Sequence, residues 1–209
     1  MSERGTTTPK LSFHAVDSAH WVDFERLFES RGAPKYCWCM VWRATPEEGK
    51  LTGNANRKAA MHQRVKDKVP VGLLAYADDE PVGWCSIAPR DTYRRLVKDT
   101  TSDDDGVWAI TCFFVKRELR GQGVTKRMLA AALKHARAHG AKVVEAYPVD
   151  ADSPSYRFMG FVPMFEQAKF HEIGREGTRR HVMRRKLRAA AKPGRHERGR
   201  TARAPTSTA

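Results

Sequence analysis

The sequence is poor in the residues that build disulfide frameworks and metal sites. Its 209 residues include only four cysteines, at positions 37, 39, 85 and 112. They are scattered through apolar segments, unlike the dense cysteine framework of a small secreted domain. Cys37 and Cys39 form a C-x-C pair, but a structural zinc ion needs four ligands and no second pair is present. His135 and His139 have no further ligand nearby, so we interpret them as cations at the C-terminal end of a helix. We therefore expect no disulfides and no bound metal.

Long apolar runs are also missing. No stretch approaches the roughly 20 apolar residues that cross a bilayer, and residues 1–10 lack the apolar centre of a secretory signal. The mean hydropathy is −0.61, yet 41% of the residues are hydrophobic, which is enough for a core. These features predict a soluble, cytoplasmic protein that has no membrane partner.

Basic residues outnumber acidic ones, and much of the excess lies near the C-terminal end of the sequence. The chain has 38 Lys and Arg against 24 Asp and Glu, a net charge of +14. Residues 184–209 contain nine of the basic residues and a single acid, Glu197. We expect a disordered N-terminus over residues 1–10, a folded domain over 11–188 and a disordered basic tail over 189–209. The tail is interpreted as solvated, and nucleic acid is not expected as a partner.

The hydrophobic pattern predicts a mixed α/β (α+β) fold. Residues 107–115, VWAITCFFV, form a continuous apolar run typical of a strand buried on both faces. An amphipathic helix over 121–140 and a strand over 142–149 follow it. Further strands are predicted at 11–16, 36–42, 71–77, 82–87, 173–175 and 181–187, and further helices after residues 18, 45 and 56 and within 154–170.

A glycine-rich turn joins the buried strand to the amphipathic helix. Its sequence is Arg120-Gly121-Gln122-Gly123-Val124-Thr125, with Lys126 and Arg127 after it. Backbone N–H groups at a helix start, with glycines that permit close approach, suit a large anion. The turn lacks the Gly-Lys-Ser/Thr of a P-loop and the third glycine of a dinucleotide-binding turn. It therefore predicts a phosphate-bearing ligand of another kind.

The segment from Val115 to Thr125, VKRELRGQGVT, resembles the acetyl-CoA motif of the GNAT N-acetyltransferases. The resemblance implies a mostly antiparallel central sheet with a splayed pair of parallel strands, flanked by helices. It implies acetyl-CoA as co-substrate and transfer of its acetyl group to an amine, by direct attack in a ternary complex. Members of this family often form homodimers, and the edge of the final hairpin is the candidate interface.

The resemblance also assigns roles to residues. Backbone groups of Phe113 to Val115 would pair with the pantetheine arm as an added strand does, and amides of residues 121–125 would hold the pyrophosphate. The implied cofactor-binding set is Phe113, Phe114, Val115, Arg120, Gly121, Gln122, Gly123, Val124, Thr125 and Lys126.

Catalytic groups are harder to assign. Thr125 replaces the usual Gly or Ala of the motif. Residues 165–170 resemble the Tyr-x-x-x-Gly-Phe segment of the family, in which the tyrosine protonates the leaving thiolate. Phe165 and Lys169 replace its tyrosine and glycine. We predict Glu145 as the general base, with Asp150 at the end of the same strand as the next candidate, and Tyr147 or Tyr156 as the acid.

The acceptor stays open between a small amine, an antibiotic, an amino acid and a protein lysine. Acidic residues 103–105 would attract a cationic acceptor. Trp38, Trp42 and Trp84 are interpreted as core, with an acceptor cleft as the alternative. The alternative function is a non-catalytic acyl-CoA-binding protein whose basic tail contacts nucleic acid, and the missing tyrosine supports it.

Overall fold

A single seven-stranded sheet forms the centre of the protein. The computed structural model describes residues 10–51, 53–96 and 105–188, so the predicted N-terminal segment (apart from Lys10) and the tail over 189–209 lie outside them. The strands are β1 Leu11–Ala15, β2 Leu73–Ala77, β3 Glu80–Pro89, β4 Val107–Val115, β5 Val143–Ala146, β6 His171–Glu176 and β7 Arg180–Lys186.

The strand order is β1-β2-β3-β4-β5-β7-β6. Neighbours are antiparallel except β4 and β5, which run parallel. This confirms the predicted mixed, mostly antiparallel sheet. β4 lies at its centre, and all nine of its residues are buried, as its unbroken apolar sequence predicts.

Helices cover both faces of the sheet. They are α1 Trp21–Glu29, α2 Pro46–Lys50, α3 Asn54–Lys66, α4 Val124–Ala138 and α5 Val162–Gln167. α4 packs on one face through Val124, Met128, Leu129, Ala132, Leu133 and Ala136. On the other face, α1 and α3 join the 33–44 segment in an aromatic core around Trp38 and Trp84. Two of the three tryptophans are therefore core residues, as predicted.

α4 lies very close to β3 at Gly83. A Cβ atom added at this glycine would lie 2.8 Å from Met128 Sδ, and 3.3 Å from both Ala75 Cβ and Phe114 O. The small residue therefore sets how closely the helix approaches the sheet.

The predicted strand over 36–42 is wrong, because the segment folds into successive turns. The N–H groups of Cys37 and Trp38 bond to Pro34 O, and the N–H of Met40 bonds to Cys37 O. Trp38 and Cys39 adopt left-handed conformations with φ of 46° and 52°. The alternation in YCWCMVW thus reflects packing of a coiled loop, in which Trp38 stacks on Phe28 with ring centroids 5.3 Å apart.

Candidate functional site

β4 and β5 separate beyond a short paired segment. Their parallel register joins Val107 to Val143 and ends with Ile110 opposite Ala146. β4 continues for five more residues, to Val115, without β5 beside it. A splay of this kind leaves one side of β4 open to a ligand, as the resemblance implied.

The ladder with β3 decides which backbone groups face the opening. The N–H of Lys116 bonds to Val82 O, and hydrogen-bonded pairs alternate in an antiparallel ladder. The peptide groups of Phe114 and Cys112 therefore face β3, whereas those of Phe113 and Val115 face the splay. Arg120 Nε donates to Val115 O at 2.9 Å, which agrees with this direction. Three residues were predicted to pair with pantetheine through their backbone groups. Of these, Phe114 already directs its backbone hydrogen bonds to β3.

A bulge at Thr111 marks the inner end of the splay. Ser86 pairs with Cys112 and Ile87 with Ile110, so Thr111 is the extra residue on β4. Its hydroxyl donates to Ser86 Oγ at 3.1 Å. Behind it, the fully buried Arg43 donates to Ser86 Oγ at 3.1 Å and to Tyr93 OH at 2.6 Å. This polar network fixes the wall of the cleft from inside.

The glycine-rich turn opens α4 without a side-chain cap. Gly123 is the N-cap residue with φ 74°, and Gly121 also has a left-handed φ of 77°. The first turn of α4 contains no acid, and Lys126 beside it is exposed. The N–H groups of residues 124–126 therefore remain free to bind an anion. Val124 itself is buried in the core, so only its backbone can contribute.

One cleft of about 780 Å³ connects these features. Residues 111–115, Arg120 and Thr125 form one wall. The opposite wall comes from the 32–42 segment, including Trp42, and from residues 156–164. Among the described residues that line the cleft, none is acidic. Of the three tryptophans considered as residues of an acceptor cleft, Trp42 alone is among the lining residues.

Tyr156 lies in this cleft and Phe165 does not. Phe165 is fully buried and packs on Phe113 and Phe170, with centroids 6.3 and 5.1 Å away. The spacing Tyr-x-x-x-Gly-Phe recurs at Tyr156 to Phe161, and Phe161 there bridges Val149 in parallel pairing. The assignment of that segment to residues 165–170 is therefore wrong. The same spacing is visible in the sequence and is the signal that identifies Tyr156.

Glu145 and Tyr147 lie together, but outside the residues that line the cleft. Glu145 is only 2% exposed, and its Oε2 accepts from Arg184 Nε at 2.6 Å and from Arg90 Nη1 at 3.3 Å. Tyr147 OH donates to Glu145 Oε1. Burial and the charge of Glu145 raise the pKa of Tyr147. Their carboxylate and hydroxyl are engaged in a buried ion-pair cluster, so the expected position of Glu145 at the reacting groups is not supported.

The structure also changes the predicted roles of two charged groups, His135 and Asp105. Burial, with the nearby His139, lowers the pKa of His135 to about 4, so His135 is neutral at pH 7 rather than the predicted cation. Asp105 pairs with Lys142 at 2.5 Å, at the end of β4 opposite to the splay. It cannot draw an acceptor into the cleft, and residues 103–104 lie outside the described ones.

Comparison of the chain with models of protein families shows which family it belongs to. The model of the acetyltransferase (GNAT) family matches residues 17–161, which is more than half of the chain. The chain belongs to the GNAT acetyltransferase family. The matched range ends at the Gly-Phe pair, so it includes the splay, the glycine-rich turn and Tyr156. The predicted family is confirmed, and acetyl-CoA is confirmed as co-substrate at the level of the family.

Solved structures share this GNAT fold at low identity. An N-acetyltransferase from Staphylococcus aureus Mu50 is 10% identical, with a TM-score of 0.54 over 86% of this chain and 99% of that one. The YncA protein from Salmonella typhimurium, described with its cofactor acetyl-CoA, is 13% identical with a TM-score of 0.52 over 88% of this chain and 98% of that one. The PaiA N-acetyltransferase from Thermoplasma acidophilum, in complex with coenzyme A, is 13% identical with a TM-score of 0.51 over 85% and 99%. None of the curated proteins matches the chain in sequence.

Two absences hold for the described part of this GNAT chain. None of its helices is long and apolar enough to cross a membrane. Within the same residues, no cluster of three or more His, Cys, Asp or Glu is placed to bind a metal ion. All four cysteines are free thiols in buried positions, and Cys37 Sγ accepts the N–H of Cys39 at 3.4 Å.

Proposed function

We propose that the protein transfers the acetyl group of acetyl-CoA to the nitrogen of an amine, with both substrates bound in the cleft. The observation that carries the proposal is the continuity of one cleft. It joins the open backbone of Phe113 and Val115, the uncapped start of α4 and the side chain of Tyr156. In the net reaction one C–N bond forms, one C–S bond breaks and a proton of the amine passes to the sulfur.

The residues at the turn fit the phosphates of coenzyme A. Three free N–H groups and the positive end of the α4 dipole meet at one point. Arg120 lines the cleft before this turn, Lys126 and Arg127 follow at the start of α4, and the first turn of α4 contains no acid. A Cβ atom added at Gly121 or Gly123 would meet nothing within 4 Å. The glycines therefore supply left-handed backbone, and the space beside them is open.

The cleft itself promotes loss of the amine proton. An apolar lining with two arginines, Arg120 and Arg157, and no acid among its described residues disfavours an ammonium ion. A bound amine in such a place has a lowered pKa and reaches its nucleophilic form by giving a proton to water. Water therefore takes the role of base that the sequence predicts for Glu145.

Tyr156 is the proposed acid. Its side chain is partly exposed in the cleft, and its backbone adopts a left-handed φ of 59°. A non-glycine residue is held in this conformation at a cost of about 1–3 kcal/mol, a pattern that clusters at functional sites. A phenol there can give a proton to the departing sulfur. The alternative, binding without transfer, rested on a missing tyrosine, and Tyr156 removes that support.

The first experiment is thermal unfolding with and without acetyl-CoA, in the wild type and in Gly123→Asp. Ligand at a hundred times its dissociation constant stabilises the native state by about 2.7 kcal/mol, and we expect the wild-type Tm to rise by several degrees. An aspartate at the N-cap of α4 places negative charge against the pyrophosphate, so the shift should vanish.

Gly140→Asp is the matched control. Gly140 also has a left-handed φ, of 83°, with nothing within 4 Å of an added Cβ, but it follows the other end of α4. This variant should lose a similar amount of stability and keep the acetyl-CoA shift. Equal shifts in both aspartate variants, or none in the wild type at millimolar acetyl-CoA, would refute cofactor binding at the turn.

A further inference from the structure

The mouth of the cleft exposes several large apolar side chains. Four large hydrophobic side chains of its lining are exposed: Tyr36 by 64%, Val41 by 44%, Phe158 by 40% and Tyr156 by 37%. Only three other large hydrophobic side chains are so exposed in the described part of the chain. Clustered exposed apolar groups mark a surface that a ligand or partner covers. This mouth therefore suits an acceptor with a large apolar group.

The charges of the cleft exclude one class of acceptor. Polyamines and oligocationic antibiotics carry several ammonium groups, and each needs a carboxylate when it leaves water. The described lining contains Arg120 and Arg157 and no Asp or Glu. An acceptor with several positive charges would be repelled rather than held here.

Two buried donors lie on the side chains that flank Tyr156. Trp42 Nε1 and Arg180 Nη1 have no hydrogen-bond partner among the described residues. The guanidinium of Arg180 lies 4.7 Å from the centroid of the Trp42 ring and 5.3 Å from that of Tyr156. A buried N–H without an acceptor is destabilising. Arg180 itself lies behind Trp42 and Tyr156, outside the residues that line the cleft, and its Nη2 faces Glu176 Oε1 at 3.6 Å. A carboxylate that enters between Trp42 and Tyr156 would give the two unpartnered N–H groups an acceptor.

We propose that the acceptor is a free amino acid with a large apolar side chain, such as phenylalanine or leucine. Its carboxylate would accept from Trp42 Nε1 and Arg180 Nη1, and its side chain would pack among Tyr36, Val41 and Phe158. This inference rests on the proposed acetyltransferase function, whose cofactor turn is a separate part of the cleft. Arg180 and Trp42 are specificity residues in this scheme, because they hold the acceptor and take no part in bond making.

The test compares three acceptors that differ only at the carboxylate, with a polyamine as the fourth. Release of the coenzyme A thiol is measured with phenylalanine, phenylalaninamide, phenethylamine and spermidine. We expect kcat/KM to be at least tenfold higher for phenylalanine than for the amide or the amine, with spermidine inactive. Phenylalaninamide also represents a peptide N-terminus, so its preference over phenylalanine would indicate a protein acceptor and overturn the proposal.

Variants then locate the carboxylate. Trp42→Phe keeps the ring and removes the N–H, and Arg180→Met removes the charge. Each should lower the preference for phenylalanine over phenethylamine by about tenfold, mainly through the KM of phenylalanine. Arg179→Met is the control, because Arg179 contacts Ser155 Oγ at 3.0 Å in the same hairpin and should leave that preference unchanged.

The outcomes separate the two proposals. If acetyl-CoA raises the Tm and phenethylamine or spermidine is acetylated as well as phenylalanine, the acceptor class is wrong and acetyl transfer stands. An unchanged preference in both Trp42→Phe and Arg180→Met would likewise refute the carboxylate site alone. If acetyl-CoA binds but no acceptor of the panel reacts, the acceptor class is again wrong. If acetyl-CoA causes no shift, the proposed function fails and this inference fails with it.

Discussion

Tyr156 and Tyr147 are nearby tyrosines with opposite surroundings, which makes them a matched pair. Tyr156 lines the cleft, and Tyr147 is 3% exposed and bonded to Glu145. We expect Tyr156→Phe to lower kcat by about 10²-fold or more at nearly unchanged KM for acetyl-CoA, because proton transfer typically contributes 10²–10⁴-fold. Tyr147→Phe should change kcat only a few-fold. Steady-state kinetics over a pH series measures both, and equal losses in the two variants would contradict the assignment.

His135 makes stability depend on pH. Burial beside Trp108 lowers the pKa of His135 from its ordinary 6.5 to about 4 in the folded protein. Between these two values the unfolded chain binds a proton that the folded chain does not, so the free energy of unfolding falls as the pH drops from 6.5 to 4. We expect His135→Gln to flatten this fall in urea titrations at several pH values. The side chain is partly exposed, so the effect is smaller than for a fully buried histidine.

The identity of single residues shows what sequence reasoning can reach. The glycine-rich turn was predictable because its members are consecutive and its chemistry is local. Glu145 was not, because its partners Arg90 and Arg184 lie 55 and 39 residues away in the chain. No local pattern shows that a carboxylate on a strand will be occupied by two distant guanidinium groups.

At the scale of elements, the close packing of α4 on β3 at Gly83 predicts that packing and cofactor binding are coupled. Gly83→Val would crowd Met128, which can move, and Ala75 and Phe114 O, which cannot. Overpacking of this kind costs about 1–3 kcal/mol. Because α4 carries the free N–H groups of the turn, its displacement should also weaken the acetyl-CoA shift.

Gly174→Val is the comparison for that variant. Gly174 lies in β6, and nothing stands within 4 Å of an added Cβ, so valine there should leave both stability and the acetyl-CoA shift nearly unchanged. Urea unfolding and the Tm shift measure the two effects. A Gly83→Val protein as stable as Gly174→Val would show that α4 does not depend on this contact.

The hydrophobic pattern of the sequence predicted some secondary-structure elements correctly and others not. α4 and β4 were predictable, because a 3.6-residue period and an unbroken apolar run each have one common structural meaning. The 36–42 segment alternates like a strand yet folds into turns. Trp38, Cys39 and Met40 of this segment are buried in the core that α1, α3 and β3 also form. One contact there is Trp84 Nε1, which donates to Cys39 Sγ at 3.0 Å. Tertiary packing of this kind leaves no local signature.

At the scale of the whole molecule, β6 forms the outer edge of the sheet and predicts self-association. Five of its six residues are exposed, including Ile173 at 54%, and the unpaired backbone groups of an edge strand can pair with another chain. We expect a homodimer in light scattering after size exclusion, converted to a monomer by Ile173→Lys. Val22→Lys is the control, since Val22 is 68% exposed on α1, away from that edge. A monomeric wild type would rule out the predicted interface.

The splay of β4 also has a consequence for the motions of the backbone amides. Cys112 and Phe114 donate into the sheet, whereas Phe113 and Val115 point into the cleft. In the free protein, hydrogen–deuterium exchange along this buried strand should therefore alternate, with slow and fast positions one residue apart. A bound pantetheine chain would slow exchange at Phe113 and Val115 and leave Cys112 and Phe114 unchanged. The most central strand of the protein would then report ligand occupancy residue by residue.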